Sequence, residues 1–527
     1  MSNRAHVYAA ILCLFVLPWQ LGAQTGSASI RGGVLDPAGR SIAGAQVTLK
    51  RLETGAERRT ITNWSGAYQF AGLPAGTYAL AVTHSGFQQA SSRNLELHTD
   101  AVLVMDLTLQ IGAGSESVDV IAEASALETQ STASSRVVTQ SEVESLPLNG
   151  RQLQNLALLA PGVAAGWNWS TAANRYGKAR ENLEGAFVVN GARGRSNNFQ
   201  LDGMPMNLRQ YGVINFEPSV EAVQEFRLIT GTPPAEYGTT MGSTVSIVTR
   251  GGGERYHGAL YEFFRNDRLD ANDTFNRRAG LPPGKLRQNQ FGGSLGGPLF
   301  SRSHFFFVNT EFLRIVEGVE TRVISVPARE EAAGLLRYRD ADGNERKLDL
   351  SGRMNPLSRR LLSFYPEPNA PGQGELNHNS SLLIRLNDYQ VHSRTDHYLG
   401  PRDQLNVRFS WNLNDQLYVI NRFGGPFIPG FSLPNPEKTA NGGMTWSRAF
   451  SGRLVSELRL GINRYRNPLA NGDTTSSEQI GLPGGDGTAN GIPSIEFRGG
   501  ALEGLGGQPW LNREQNELTW FVSDTLS

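Results

Sequence analysis

The stretch DQLNVRFSWNLN, residues 403–414, decides the fold. Leu405, Val407, Phe409, Trp411 and Leu413 alternate with Gln404, Asn406, Arg408, Ser410 and Asn412. Successive side chains of a β-strand point to opposite faces, so one face here is wholly apolar and the other wholly polar. A strand with lipid on one side and water on the other needs that pattern over about ten residues. A half-buried strand of a soluble sandwich meets it as well, and repetition separates the two. Leu454, Leu458, Leu460 and Ile462 oppose Arg453, Glu457, Arg459 and Asn463, while Phe291, Leu295 and Leu299 oppose Gln290 and Ser294. Eight strands are predicted, at about 255–265, 286–298, 303–316, 384–399, 402–415, 438–449, 452–466 and 515–527. The joins near Phe300 to Arg302, Gly400-Pro401 and Ser451-Gly452 are short, and those at 266–285, 317–383, 416–437 and 467–514 are long. Short periplasmic turns alternating with long outer loops are the habit of transmembrane β-barrels. Phe305-Phe306-Phe307 and Trp446, toward strand ends, are expected to form interfacial girdles.

Composition excludes several alternatives. Lys plus Arg and Asp plus Glu both number 49, so the 527-residue chain has no basic excess for neutralising phosphates, and no nucleic-acid partner is expected. No apolar run reaches the ~18 residues of a membrane-spanning helix. The single cysteine, Cys13, rules out a disulfide scaffold and a zinc–cysteine site. The eight histidines, His6, His84, His98, His257, His304, His378, His392 and His397, include no His-x-x-Glu pair, so no metal and no other cofactor is expected. Asp340-Ala341-Asp342-Gly343-Asn344 imitates the start of a calcium loop. Glu345 stands where that loop needs Gly and Ser351 where it needs Glu, so a polar turn is expected.

The N-terminus reads as a secretory signal peptide over residues 1–23. Arg4 supplies the charge, Val7 to Leu17 the apolar core, and Leu21-Gly22-Ala23 a small residue for cleavage. Residues 24–110 follow as short strands between turn signals, among them Asp36-Pro37-Ala38-Gly39, Asn63-Trp64-Ser65-Gly66 and Leu73-Pro74-Ala75-Gly76. That spacing predicts an all-β sandwich. The run from Gly32 to Phe87, "GGVLDPAGRSIAGAQVTLK…TNWSGAYQFAGLPAGTYALAVTHSGF", resembles the carboxypeptidase regulatory-like domain, a transthyretin-like sandwich.

Residues 111–126 read as a linker. Within it, Glu116, Ser117, Val118, Asp119, Val120, Ile121 and Ala122 form an extended segment of alternating aliphatics. Such a segment suits strand addition to a partner's sheet edge, and it equally suits the first strand of the next domain. In residues 127–252, "LPLNGRQLQNLALLAPGV" (146–163) places Leu153, Leu156, Ala157 and Ala160 at helical spacing, ended by Pro161-Gly162. "FVVNGARGRSNNFQLDGMPMN" (187–207) and "PSVEAVQEFRLITGTPPAEYGTTMGSTVSIVTRGG" (218–252) follow. These three blocks resemble the plug domain of TonB-dependent outer-membrane receptors, and most of all the Oar-like branch, which also carries the N-terminal sandwich.

The resemblance implies a mainly β fold: a transthyretin-like sandwich, an α+β plug, and, from 253 to 527, the first part, about eight strands, of a large antiparallel transmembrane barrel. It implies that 116–122 is the TonB box, gripped by the TonB-type energising complex of the inner membrane. It implies that Glu221, Glu225 and Arg227 pair with barrel-wall charges and hold the plug; a solvated strand face is the alternative. Arg193 and Arg195, beside Asn197 and Asn198, form a polar loop able to meet an anionic ligand or to face water as a basic turn. Trp167 and Trp169 offer a stacking surface for a sugar or aromatic ligand, or local packing. The expected function is energised uptake of a bulky extracellular ligand (iron chelate, glycan or peptide) across the Gram-negative outer membrane, with lipid around the barrel and no catalysis. A non-transporting surface protein for adhesion or secretion is the alternative. An eight-stranded barrel has room only for side chains, whereas 22 strands enclose a plug. At this strand density 22 strands need on the order of 750 residues, for a protein of roughly 1000. The chain therefore reads as a fragment.

Overall fold

The computed structural model describes residues 27–112, 117–119, 134–166, 187–209, 212–231, 241–272, 274–278, 280, 283–318, 322–370, 376–380, 383–418, 427–451, 454–482, 491–497, 502–507 and 513–526. The signal-peptide reading, Trp167, Trp169, Glu116 and Val120 to Ala122 fall outside them.

The sandwich holds β1 (Ala28–Leu35), β2 (Gln46–Arg51), β3 (Glu57–Ile61), β4 (Ala67–Leu73), β5 (Gly76–Thr83), β6 (Gln89–Leu97), β7 (Val102–Val104), β8 (Leu107–Thr108) and β9 (Ser117–Asp119). One sheet has the order β4-β1-β7, with β8 also on β1, and the other the order β3-β2-β5-β6-β9. Alternate residues such as Val47, Leu49, Leu80 and Val82 close the core between them. The Asp-Pro-Ala-Gly signal works as its chemistry requires: Asp36 Oδ1 accepts from the Ala38 and Arg40 amides, both at 2.9 Å, and Gly39 takes φ 77°.

The plug comprises β10 (Ser134–Thr139), β11 (Val163–Ala165), β12 (Phe187–Val189), β13 (Asn198–Leu201), β14 (Met204–Pro205), β15 (Asn207–Leu208), β16 (Val213–Ile214), β17 (Val223–Thr230) and β18 (Thr244–Thr249). Its main sheet runs β10-β17-β18-β13-β14, with β13 and β18 parallel. A short helix, Gln140–Ser145, starts where the Glu142 carboxylate accepts the Thr139 amide at 2.9 Å. The 153–160 segment folds as a 3-10 helix over Leu153–Leu159. Leu153, Leu156 and Ala157 are buried against Phe187 and Phe226, so the spacing marked the buried face although the helix is tighter than an α-helix.

The wall is one antiparallel sheet of eight strands. It begins with β19 (His257–Asn266), β20 (Leu286–Pro298) and β21 (His304–Gly318). After the outer-loop hairpin strands β22 (Arg322–Ile324), β23 (Leu335–Arg339), β24 (Glu345–Asp349) and β25 (His378–Ser380), it continues as β26 (Leu383–Tyr398), β27 (Asp403–Tyr418), β28 (Leu433–Ser451), β29 (Leu454–Leu469) and β30 (Arg513–Leu526). Its burial is inverted relative to a soluble protein. On β27, Arg408, Ser410, Asn412, Asn414 and Gln416 are at most 5% exposed, whereas Val407 and Phe409 are 39% and 48% exposed. The polar face covers the plug and the apolar face is bare, as a wall standing in lipid requires. No helix among the described residues is long and apolar enough to cross a membrane.

The girdle expectation needs correction. Phe305 and Phe307 are buried on the inner face, where Arg250 lies 5.3 Å from the Phe307 ring and Tyr398 packs edge-on against Phe305. With a period of two, Phe306 alone of the three can face outward. At the long-loop end, Ile324, Phe427, Ile428, Phe431, Ile480 and Ile492 share one apolar cluster, so loops far apart in sequence pack together. Asp340 caps the β23–β24 turn through the Asp342 and Asn344 amides and pairs with Arg346 at 2.8 Å, which occupies the carboxylate that the calcium motif would need.

Candidate functional site

The functional arrangement is the set of contacts holding the plug inside the wall and under the sandwich. Its centre is Asp202. Asp202 and Gly203, at φ 49° and 74°, form the two-residue turn between β13 and β14. Asp-Gly is the dipeptide that accepts positive φ at both positions of a twist-matched hairpin. The turn aims the Asp202 carboxylate at the wall, where Arg394 on β26 and Arg408 on β27 are direct cross-strand partners. Two like charges in that position repel. Asp202 lies between them, 3.7 Å from Arg394 and 3.3 Å from Arg408. Thr249 of β18 steadies it with amide and hydroxyl hydrogen bonds, both 2.9 Å. Burial pushes the Asp202 carboxyl up, but Arg394, Arg408 and the Thr249 bonds outweigh it and hold it below the usual carboxylate range.

Backbone bonds and a steric fit complete this lock. Arg408 donates to the Leu201 carbonyl at 3.0 Å, and Arg394 donates to the Thr249 carbonyl at 2.8 Å and pairs with Asp396 at 2.8 Å. Met204, next after the turn, fills a hollow that two wall glycines leave: a Cβ on Gly443 would lie 2.6 Å from its sulfur, and one on Gly461 3.1 Å. A cavity of about 60 Å³ adjoins the lock, bounded by Asp202, Met204, Arg394, Arg408, Gly443 and Ala75, and has room for a few waters. Farther along, Ser219 donates to Asn309 at 2.6 Å and Thr439 to the Asn215 carbonyl at 3.2 Å.

The second set of contacts joins plug to sandwich. Glu225 on β17 accepts from the Thr99 amide at 3.0 Å and meets His98 Nδ1 at 3.1 Å. Arg227 donates to the Thr99 carbonyl and to Ser135. The hydrogen bond to Glu225 raises the His98 pKa above its ordinary value against the opposing pull of burial. The sandwich also touches the wall at its short-turn end, where Arg51 and Thr54 each lie 3.3 Å from the Tyr398 hydroxyl and the Glu254 amide donates to the Glu53 carbonyl at 3.0 Å.

The residues expected to lock plug to wall charges are therefore distributed otherwise. Glu225 and Arg227 face the sandwich. Glu221 pairs with Arg151 inside the plug, and it is Arg151 that reaches the wall, its guanidinium 4.0 Å from the Phe263 ring centre. The correction has a physical reason: β17 is flanked by β10 and β18, so its side chains meet what stacks on the sheet, which here is the sandwich turn. Asn197 is structural. Its amide donates to the Phe187 and Gly194 carbonyls at 3.0 and 3.1 Å, and its oxygen accepts from the Ser243 amide and hydroxyl. Arg193 is exposed, Arg195 and Asn198 are half-buried, and Asn198 opens β13. Ser117 to Asp119, the described part of the candidate box, form β9, paired in parallel with the start of β6. Asp202 escaped the sequence reading. The signal available was Arg394 and Arg408, both at inward positions of adjacent strands with no acid at the same level. Among the described residues no cluster of three His, Cys, Asp or Glu could hold a metal ion.

A wall with a bare apolar outside, enclosing a plug sheet, defines an outer-membrane barrel protein. Residues 248–527, more than half the chain, match the outer membrane beta barrel domain family, and the chain belongs to that family. Residues 29–110 match the carboxypeptidase regulatory-like domain. The chain is 25% identical over 294 residues to the TonB-dependent transporter Oar of Myxococcus xanthus, a match covering 53% of this chain and 26% of that protein. It thus spans about a quarter of that relative's length. Among solved structures it is similar to the outer membrane transporter YddB of Escherichia coli (10% identity, 74% of this chain, 45% of that chain, TM-score 0.49). It is also similar to the ferric enterobactin receptor of Pseudomonas aeruginosa (13% identity, 75% of this chain, 46% of that chain, TM-score 0.42).

Proposed function

We propose that this chain works in TonB-dependent uptake across the outer membrane, as its relative's name describes. A bulky ligand, an iron chelate, glycan or peptide, binds at the outer loops and plug apex. A TonB-type complex then grips the segment around 116–122 and draws on the plug, and the plug leaves the polar wall so that the ligand passes. The observation that supports this best is the Asp202 lock. One plug carboxylate bridges two wall arginines, which also donate to two plug carbonyls, and Met204 sits in a glycine hollow beside them, so the centre of the plug's hold on the wall is made of groups that water can replace when it moves. The test is growth and uptake on panels of iron chelates, oligosaccharides and peptides by cells carrying the gene intact, deleted, or lacking residues 116–122. Uptake of at least one ligand that requires both the gene and the segment is expected. Uptake that ignores removal of the segment refutes the energised mechanism, and adhesion or secretion defects without any uptake defect favour a surface protein.

A further inference from the structure

We propose that the sandwich is the tie through which a pull on the Ser117–Asp119 strand reaches the plug; this rests on the TonB-dependent reading above. The two ends of one strand carry the argument. At its start, β6 holds β9 in parallel, with Gln89 opposite Ser117, Ala90 opposite Val118 and Ser91 opposite Asp119. At its end, after Leu97, the next two residues are His98 and Thr99, which hold Glu225 and Arg227 of β17. The span from Ser91 to His98 is ~23 Å of extended chain at about 3.3 Å per residue. β9 is the last strand of its sheet among the described residues, and an added strand from a partner would pair along its outer edge. A load entering there passes along β6 and arrives at the plug.

The covalent route competes with this tie and reaches the plug at a different strand. It runs through residues 120–133 to Ser134, the first residue of β10. β10 is the edge strand of the plug sheet, and its pairs with β17 run from Ser134–Thr230 to Thr139–Glu225. A pull on Ser134 bears first on β10, which meets the rest of the sheet at its edge through six pairs with β17. The tie acts differently. β6 is bonded along its length to β5, from Gly76–Leu97 to Val82–Ala90, with one irregularity near Asn94, and its apolar face lies in the sandwich core. A load along the strand is shared by those bonds together. It is delivered to β17, an interior strand of the plug sheet, through a carboxylate gripped on both oxygens.

The experiment follows energy-dependent exposure of a plug residue. Cys13 is the chain's one cysteine, so a Cys13→Ser chain carrying Ser246→Cys on β18 has a single reporter thiol, at a site 1% exposed at rest. Labelling with a maleimide is compared in energised and uncoupled cells grown in rich medium. In this parent, labelling rises when cells are energised. Glu225→Ala is expected to reduce it to the uncoupled level, and protection of the thiol in uncoupled cells shows that the plug is still folded. A flexible Gly/Ser segment inserted between Ala126 and Leu127, which slackens the covalent route, is expected to leave energised labelling intact. Loss of labelling on insertion, or its persistence in Glu225→Ala, overturns the tie alone. A parent with no energy-dependent labelling overturns the uptake reading and the tie with it.

Discussion

Replacing Asp202 with Asn removes the charge that Arg394 and Arg408 share while keeping the shape of the turn. Its cost can be worked from the contacts. At an effective dielectric of about 20, unit charges ~4 Å apart attract by about 4 kcal/mol, and Asp202 has two such neighbours at 3.3 and 3.7 Å. Desolvation takes back most of that, and measured losses on removing one member of a buried ionic group run at about 3–5 kcal/mol. Two features put this site at the lower end. The Asp202 side chain keeps 17% of its exposure, and Arg394 retains Asp396. The remaining penalty falls on Arg408, left directly across the strands from Arg394 with no carboxylate between them. A loss of ~3 kcal/mol is about a hundredfold in an opening equilibrium. Hydrogen exchange of the β18 amides, Thr244 to Thr249, in the purified chain measures it, with Asp340→Asn in the outer hairpin as control. Protection of β18 is expected to fall about a hundredfold in Asp202→Asn and to stay unchanged in the control. Adding Arg408→Gln removes the uncompensated cation, so the double variant is expected to recover ~1–3 kcal/mol relative to additivity. A change below about threefold, or strict additivity, refutes the assignment of Asp202 as the lock.

Gly443→Val places a Cβ 2.6 Å from the Met204 sulfur and 2.9 Å from Arg408 Nε, and is expected to lower plug stability by ~1–3 kcal/mol; Met204→Ala in the same chain should restore much of it, and thermal melts of the three chains check both. The His98–Glu225 contact should weaken with rising pH. The folded His98 pKa is raised, so its contribution is complete below the unfolded value of about 6.5 and is lost as pH climbs through the folded value. Glu96 and Glu225 favour the charged ring and Arg227 opposes it. Exchange of the Thr99 amide, followed across pH relative to a remote sandwich amide, should therefore accelerate on the alkaline side, and His98→Phe should abolish the dependence. Asn197→Ala removes the side chain that bonds the Phe187 and Gly194 carbonyls and the Ser243 amide, at ~1–3 kcal/mol for a lost buried hydrogen-bonding partner; a lower plug melting temperature is expected. Unchanged stability with altered ligand affinity would return Asn197 to the ligand contacts.

What was legible in the sequence was whatever a period of two can carry. The alternation at 403–414 gave strand, faces and environment together, because lipid outside and plug inside leave each position a single chemistry. The hairpin joins carried more than was read from them. Arg394 and Arg408 stand seven residues on either side of Pro401, so a tight turn there makes them cross-strand partners on the polar face, as observed. Asp396 answers Arg394 from the same strand, so the acid left to seek was the one for Arg408. Its identity was another matter, since Asp202 is far away in sequence and reaches the pair only because Asp-Gly makes a two-residue turn and because Gly443 and Gly461 leave space for the next side chain. Glu225 and Arg227 meet the sandwich at His98 and Thr99 for the complementary reason. Their alternation shows that they share a face, but which body covers that face is set by sheet order and by the sandwich turn at His98 and Thr99. Strand period fixes what a surface is, whereas docking fixes whom it meets. The plug residues that dock on the wall, Asp202 and Ser219 through polar groups and Leu208 and Val213 through packing on Tyr465, are dispersed over the chain, so the docking leaves a weak local pattern.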